Sequence, residues 1–312
     1  MAEDGGSDST LTVVVALVAN VLVAVAKSAA AALTGSASML AEAAHSWADS
    51  GNEVFLLLAD RRSRREADAD HPAGYGRSAY VWAMFAALGL FVAGGAVSVT
   101  HGIQGLLSPE PAEDFAAGYA VLALSFVLEG VSFLRSVRQA RPEAASLGRD
   151  LLEHVLASSD PTLRAVVFED SAALVGVVLA GAGLGLHEVT GSPVPDAVGS
   201  ILVGLVLGFV ALVLVTRNVE FLVGRQVDPR IRAATVRAIL ALPDVDRLTY
   251  LHLEVVGPRQ VRIVGDVDLV GDERETAVAL RLRALEARLC ESAAVVAATL
   301  SLSAPDEPSL EA

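Results

Sequence analysis

The chain is poor in cysteine, lysine, aromatic residues and charge. Of its 312 residues one is cysteine, 5% are aromatic and 19% are charged. A single thiol, Cys290, excludes an intramolecular disulfide, a cysteine-built zinc finger and a cysteine-ligated cluster. Lys27 is the only lysine. Soluble domains carry about a quarter charged residues, and here the basic ones are the minority, 23 against 37 acids. A formal net charge of −14 has the wrong sign for a phosphate backbone, which argues against nucleic acid as a partner. Apolar residues are abundant instead, 53% of the chain with a mean hydropathy of +0.53. That content excludes a disordered chain.

The apolar residues fall in blocks long enough to cross a bilayer, which takes about 20 helical residues. Six blocks are read, at approximately 11–33, 39–59, 79–100, 114–134, 163–186 and 197–216. The first is expected to be a span and not a cleaved signal peptide, because its run is too long and the leader MAEDGGSDST has no basic residue. Orientation follows from arginine. Arg61, Arg62, Arg64, Arg65 and Arg77 follow the second block, and Arg135, Arg138, Arg141, Arg149 and Arg164 follow the fourth. The stretches TGSAS, SPEPAED and HEVTGSPVPD have no Lys or Arg, so both termini are expected in the cytoplasm.

After Gly224 the pattern becomes that of a small soluble domain. Thr249, Leu251, Leu253 and Val255 alternate with more polar neighbours, as do Val261, Ile263, Val267 and Leu269, which reads as two half-buried strands. Val278, Leu282, Leu285 and Leu289 share one helix face. With a helix near 229–242 and a strand near 294–302, the order is α-β-β-α-β. The expected fold is an α-helical membrane protein of six transmembrane helices with a cytoplasmic α+β domain. Its divisions are a tail at 1–10, a transport domain at 11–225, a C-terminal domain at 226–303 and a tail at 304–312.

Ionisable groups inside the blocks need a reason, since a carboxylate at the bilayer centre costs about 2.5–3.5 kcal/mol. Glu42, His45, Asp49 and Glu53 lie on one face of the second block, with Ser46 and Asn52 on the same stripe. His45 and Asp49, one turn apart, can both reach one divalent cation, and imidazole with carboxylate suits Zn²⁺. The bland reading is a polar seam that only holds helices together. Glu129 stands in the fourth block, and Glu169 and Asp170 in the fifth. Neighbouring helix positions point about 100° apart, so one of that pair is expected to ligate and the other to pair or relay protons. Lys27 pairs with an acid such as Glu42 or snorkels. Asp49 is some 18 Å of helix from Arg61 but Asp170 only about 9 Å from Arg164, which places the two acids at unequal depths if both arginines mark the interface.

The run TGSASMLAEAAHSWADSGNEVFLLLA, then HPAGYGR, EDSAALVG and TGSPVPDAVGSILVG, resembles the cation diffusion facilitator family of metal transporters over essentially the whole chain. THGIQGLLSPEP, SSDPT and TRNVEFLVGR are similar to the branch containing the animal mitochondrial-type zinc transporter. The resemblance implies a homodimeric antiporter, not an enzyme. It would exchange a cytoplasmic divalent cation for protons across a lipid bilayer, with the metal as substrate and no cofactor. His45 and Asp49 match the family's second-span ligands, and Asp170 the later fifth-span ligand, with Gly176 in register. The earlier fifth-span position falls on Val166, which cannot ligate. The site is then three-coordinate plus water, or completed by Glu169, Asn52 or Asn20, with Glu53 and Glu129 as further ligands or proton relays. Asp68, Asp70 and His71 stand where some relatives bind a second metal, although His-Pro with glycines also simply makes a tight turn. The C-terminal domain resembles a metallochaperone-like dimerisation module, and since it offers His252 alone and no Cys or His cluster, dimerisation is the role the resemblance implies and a binuclear metal site is not expected there.

Zn²⁺ is the expected cargo, with Mn²⁺, Fe²⁺ or Co²⁺ by the same mechanism as the alternative. A non-transporting metal-sensing scaffold is a third reading, kept open by Val166. A membrane hydrolase using Glu169 and Asp170 has no His-Glu-x-x-His or paired-aspartate motif to support it. Abundant Ala, Arg and Val with almost no lysine suggest a GC-rich bacterial genome and the cell membrane.

Overall fold

The computed structural model describes residues 5–108 and 114–311, and in the first helix the side chains from residue 17 onward except Ala19. Most of the SPEPAED stretch and the start of the leader lie outside the described residues. Among the described residues seven helices come first: α1 Gly5–Thr34, α2 Ala37–Ser63, α3 Ser78–Leu107, α4 Phe115–Ser146, α5 Leu151–Ala157, α6 Pro161–Thr190 and α7 Val194–Val223. Among the described residues α3, α4, α6 and α7 are long and apolar enough to cross a membrane, and α1 adds a shorter apolar stretch, Asn20–Thr34. α2 has the length, 27 residues, but its inward stripe of acids dilutes its apolarity.

The chain divides into two compact units. The first comprises the described parts of Met1–Ala59, Trp82–Leu156 and Thr162–Asn218. In it α3 and α7 approach closely through small residues, where side-chain bulk would otherwise hold the backbones apart. A Cβ on Gly204 would lie 2.7 Å from the Gly95 carbonyl oxygen, and Ser200 donates to the Ser98 carbonyl at 2.8 Å. Beside this contact α3 widens into a π-helical turn at Leu90–Ala96. Leu90, Ala48, Ala172, Val203 and Leu207 form one core cluster, and Met39, Leu122, Val177 and Leu184 belong to another.

Two expectations change here. α4 continues well past residue 134, through Pro142 to Ser146. The continuation has an apolar side, and Ala140 packs with Val155, Leu163 and Val167. Arg164 is not a surface arginine: it is fully buried on α6, where its guanidinium donates to Asn218 Oδ1 at 3.0 Å.

The second unit comprises the described parts of Asp60–Val81, Ala157–Pro161 and Val219–Ala312. Its elements are α8 Pro229–Leu240, β1 Val245–Gly257, β2 Gln260–Leu269, α9 Glu275–Leu289 and β3 Val295–Leu302, in the expected α-β-β-α-β order. Asp228 caps α8 by accepting from the Arg230 amide, and Pro229 fills the first helical position, where no amide donor is needed. β1 and β2 form an antiparallel hairpin, and β2 pairs with β3 in parallel across the α9 crossover. Val236, Ile239, Leu248, Leu253, Ile263 and Val267 are in the core, with Leu282 and Leu289 packed against it. Thr249 does not follow the expected alternation. A register shift between Leu248 and Tyr250 turns Leu248 inward in its place.

The same unit includes the segment between α2 and α3. Tyr80 stacks on Phe221 at 5.3 Å and donates to the Ser159 carbonyl at 2.9 Å. Arg77 pairs with Glu254 of β1. Gly76 packs so tightly on the Val256 carbonyl that any Cβ would overlap it. The C-terminal tail is tied back: the Leu310 amide donates to the Leu248 carbonyl at 2.7 Å, and Arg247 donates to the Ala304 and Glu307 carbonyls.

Candidate functional site

α2 carries most of the site, and its start is set by local chemistry. Gly35, at φ +63°, ends α1. Ser36 then accepts from the Met39 amide at 3.1 Å, as an N-cap does. Asp196 from the first turn of α7 accepts from the Ser36 hydroxyl at 2.8 Å, from the Ala37 amide at 2.7 Å and from the Ser38 hydroxyl. The TGSAS stretch is thus a capped helix break held by a buried carboxylate.

Further along α2 the polar stripe meets α1, α4 and α6 around a cavity of about 390 Å³. Asp49, Glu53, Glu129, Glu169 and Asp170 all line it, so α2, α4 and α6 each contribute carboxylates. Asn20, Ser46, Ser132, Arg135 and Val166 also line it. The candidates at unequal sequence depth, Asp49 and Asp170, therefore face one volume. His45 and Asn52 stand behind the wall. His45 is fully buried, its Nδ1 is 3.4 Å from Asp49 Oδ1, and neither ring nitrogen has a hydrogen-bond partner. Asn52 donates to Glu169. Asn20 donates to Glu53 at 2.6 Å.

The neighbouring acids of α6 separate as helix geometry requires. Glu169 turns towards Asn52 of α2, whereas Asp170 accepts from Ser132 of α4 at 3.0 and 3.1 Å and from Ser136 at 3.4 Å. Among the described residues no three His, Cys, Asp or Glu side chains stand close enough together to enclose a metal ion. The donors are gathered around a space but not closed on it. Val166 adds an apolar face to that wall.

Two contributions escaped the sequence reading. Ser132 and Ser136 were not singled out, although they follow Glu129 at helical spacing and could have been found on that stripe. Asp196 ends the HEVTGSPVPD stretch, and nothing in its neighbours points to the start of α2, 160 residues before it at Ser36. Lys27 meets the expectation of an acid partner: its Nζ donates to Glu42 Oε2 at 2.9 Å and lies 3.8 Å from Glu129 Oε1.

In the turn between α2 and α3, Asp68 is already well supplied with donors. It accepts from the Asp70 amide at 3.1 Å, the His71 amide at 2.8 Å and the Tyr75 hydroxyl at 2.7 Å. The His71 ring lies 4.1 Å from the Tyr75 ring, and its Nδ1 is 3.4 Å from Asp68. Asp70 is exposed. The Tyr75 hydrogen bond, then the His71 amide, hold the Asp68 carboxyl below the usual carboxylate range.

Residues 13–223 match the family model of the cation efflux transmembrane domain. The chain is 36% identical over 238 residues to the Xenopus laevis protein named proton-coupled zinc antiporter SLC30A9, mitochondrial, covering 76% of this chain and 43% of that one. It is 34% identical over 233 residues to metal tolerance protein C4 of Arabidopsis thaliana, covering 75% of this chain and 51% of that protein. To the cation-efflux pump FieF of Escherichia coli it is 27% identical over 231 residues, 72% of this chain and 69% of that one. The matched part thus spans about half or less of the length of the animal and plant relatives. With most of its length matching the family model, and acids from the matched helices gathered around one cavity with His45 behind its wall, the chain belongs to the cation efflux family.

Proposed function

We propose that the protein is a proton-coupled antiporter that exports a divalent cation, foremost Zn²⁺, from the cytoplasm by alternating access. The observation that carries this is the acid-walled cavity, where α2 and α6 each present two carboxylates and His45 stands against Asp49. Such ligands must lose their protons to bind metal, so protons arriving from the other side expel the ion. His45, Asp49 and Glu169 are read as ligands, with Asp170 joining from the α4 side. Asn52 orients Glu169, and Ser132 and Ser136 orient Asp170. The names of the animal relatives lend zinc and proton coupling to this reading. Carboxylates outnumber the one imidazole, which favours harder ions and supports Mn²⁺, Fe²⁺ or Co²⁺ as a second reading.

In this reading α1 and α2 join the four apolar helices as spans, making six. A 30-residue α1 is long enough, and two of the acids of α2 meet partners on α1, Glu42 with Lys27 and Glu53 with Asn20. The transport domain covers 11–225, and the domain at 226–303 pairs two copies into a homodimer. Arginine bias supports cytoplasmic termini. Relatives named mitochondrial and one from Escherichia coli are both similar to this chain, so kinship does not choose between organelle and bacterial cell membrane. The scarcity of lysine favours a bacterial source. The test is flux in proteoliposomes: Asp49→Ala abolishes proton-driven zinc uptake while its melting profile stays that of the parent. Normal flux in that variant would overturn the ligand assignment, and competition by Mn²⁺, Fe²⁺ and Co²⁺ decides the ion.

A further inference from the structure

Lys27 is the only lysine in the chain, fully buried, and absent from the cavity wall. Its place follows from the antiparallel contacts of α1 and α2. Asn20 meets Glu53 beside the cavity, and two turns further along α1 Lys27 meets Glu42, one turn beyond His45 on α2. The ammonium therefore lies past His45, at the end of the polar stripe away from Arg61. From there it reaches 3.8 Å to Glu129, which does line the cavity. Glu42 is held in turn against Gly176 of α6, where any Cβ would overlap its carboxylate, and its Oε1 has no hydrogen-bond partner. One lysine thus joins α1, α2 and α4, while its acid leans on α6.

A buried ion pair adds little stability over apolar residues of the same volume. Its charge has another use here. Held at 2.9 Å by Glu42 and 3.8 Å from Glu129, the ammonium already neutralises the acids past His45, so a divalent ion moving beyond Asp49 towards that end of the stripe would meet spent carboxylates and a like charge. We propose that Lys27 is a resident counter-cation, a positioning residue that holds Glu129 and Glu42 and blocks a cation bound at the cavity from moving onward without exchange. This rests on the transport reading above.

The test uses the full chain in proteoliposomes, with zinc and pH followed together by trapped dyes. In the neutral pair Lys27→Met with Glu42→Gln, zinc still binds and crosses, but it does so without a pH gradient, and the protons returned per zinc fall at least tenfold. Lys27→Arg keeps the parent ratio. A parent ratio in the neutral pair would overturn the proposal and leave Lys27 a structural tie. Should the neutral pair not fold, the exchanged pair Lys27→Glu with Glu42→Lys decides. It restores opposite charges between α1 and α2 but removes the ammonium from α1 and from Glu129, so coupling is lost; a parent ratio there would also overturn the proposal. Absence of zinc flux in the parent chain is distinguishable from both, and overturns the transport reading together with this one.

Discussion

At the scale of single residues the site is a set of acids whose neighbours decide what each can do. Glu169 and Asp170 are adjacent in sequence, yet one is oriented by an amide of α2 and the other by hydroxyls of α4. Val166 lines the same cavity one turn before Asp170 and presents only methyl groups. Val166→Asp should therefore tighten zinc binding, by about tenfold or more, measured by competition with a metal-sensitive dye. Unchanged affinity would place the ion elsewhere. The scale of that expectation follows from outer-shell partners alone, whose loss changes metal affinity by about 10–100-fold. The acids themselves were legible in the sequence because ionisable residues are rare in apolar blocks. Their division of labour was not, because it depends on which helix each side chain meets.

At the scale of elements, alternation and helical stripes located the strands and helices of the C-terminal unit to within a few residues. The misses have local causes. The register shift in β1 moved Leu248 into the core, and the apolar side of the α4 continuation lengthened that helix. The turn between α2 and α3 is organised by Asp68, whose lowered pKa makes it a pH-sensitive fastening. A carboxyl depressed in the folded state contributes stability above its unfolded pKa, about 3.9, and loses it as pH falls through the folded value. The Asp70 and His71 amides should stay protected from hydrogen exchange at neutral pH and lose protection only below the ordinary aspartate range. Tyr75→Phe removes the largest cause of the shift and moves that midpoint upward. An unmoved midpoint in exchange mass spectrometry would show that the hydroxyl does not set it.

For the whole molecule, the expected consequence of the proposed cation binding at the cavity is linkage between zinc and stability. A ligand at about 100 times its dissociation constant stabilises the folded state by about 2.7 kcal/mol. The purified protein should melt higher with zinc than with chelator, and Asp49→Ala should remove most of that difference. An equal zinc effect in both proteins would point to a site outside the cavity. What the sequence determined by itself is the membrane class, the α-β-β-α-β order and the candidate acids, because hydrophobic blocks, periodicity and rare charges are properties of neighbours along the chain. Only the tertiary structure decided that Asp49 and Asp170 share a cavity, that Arg164 is buried, that Asp196 caps α2 and that Lys27 stands between Glu42 and Glu129. Each of those facts is a meeting of side chains from different helices, and helix packing brings them together wherever they lie in the chain.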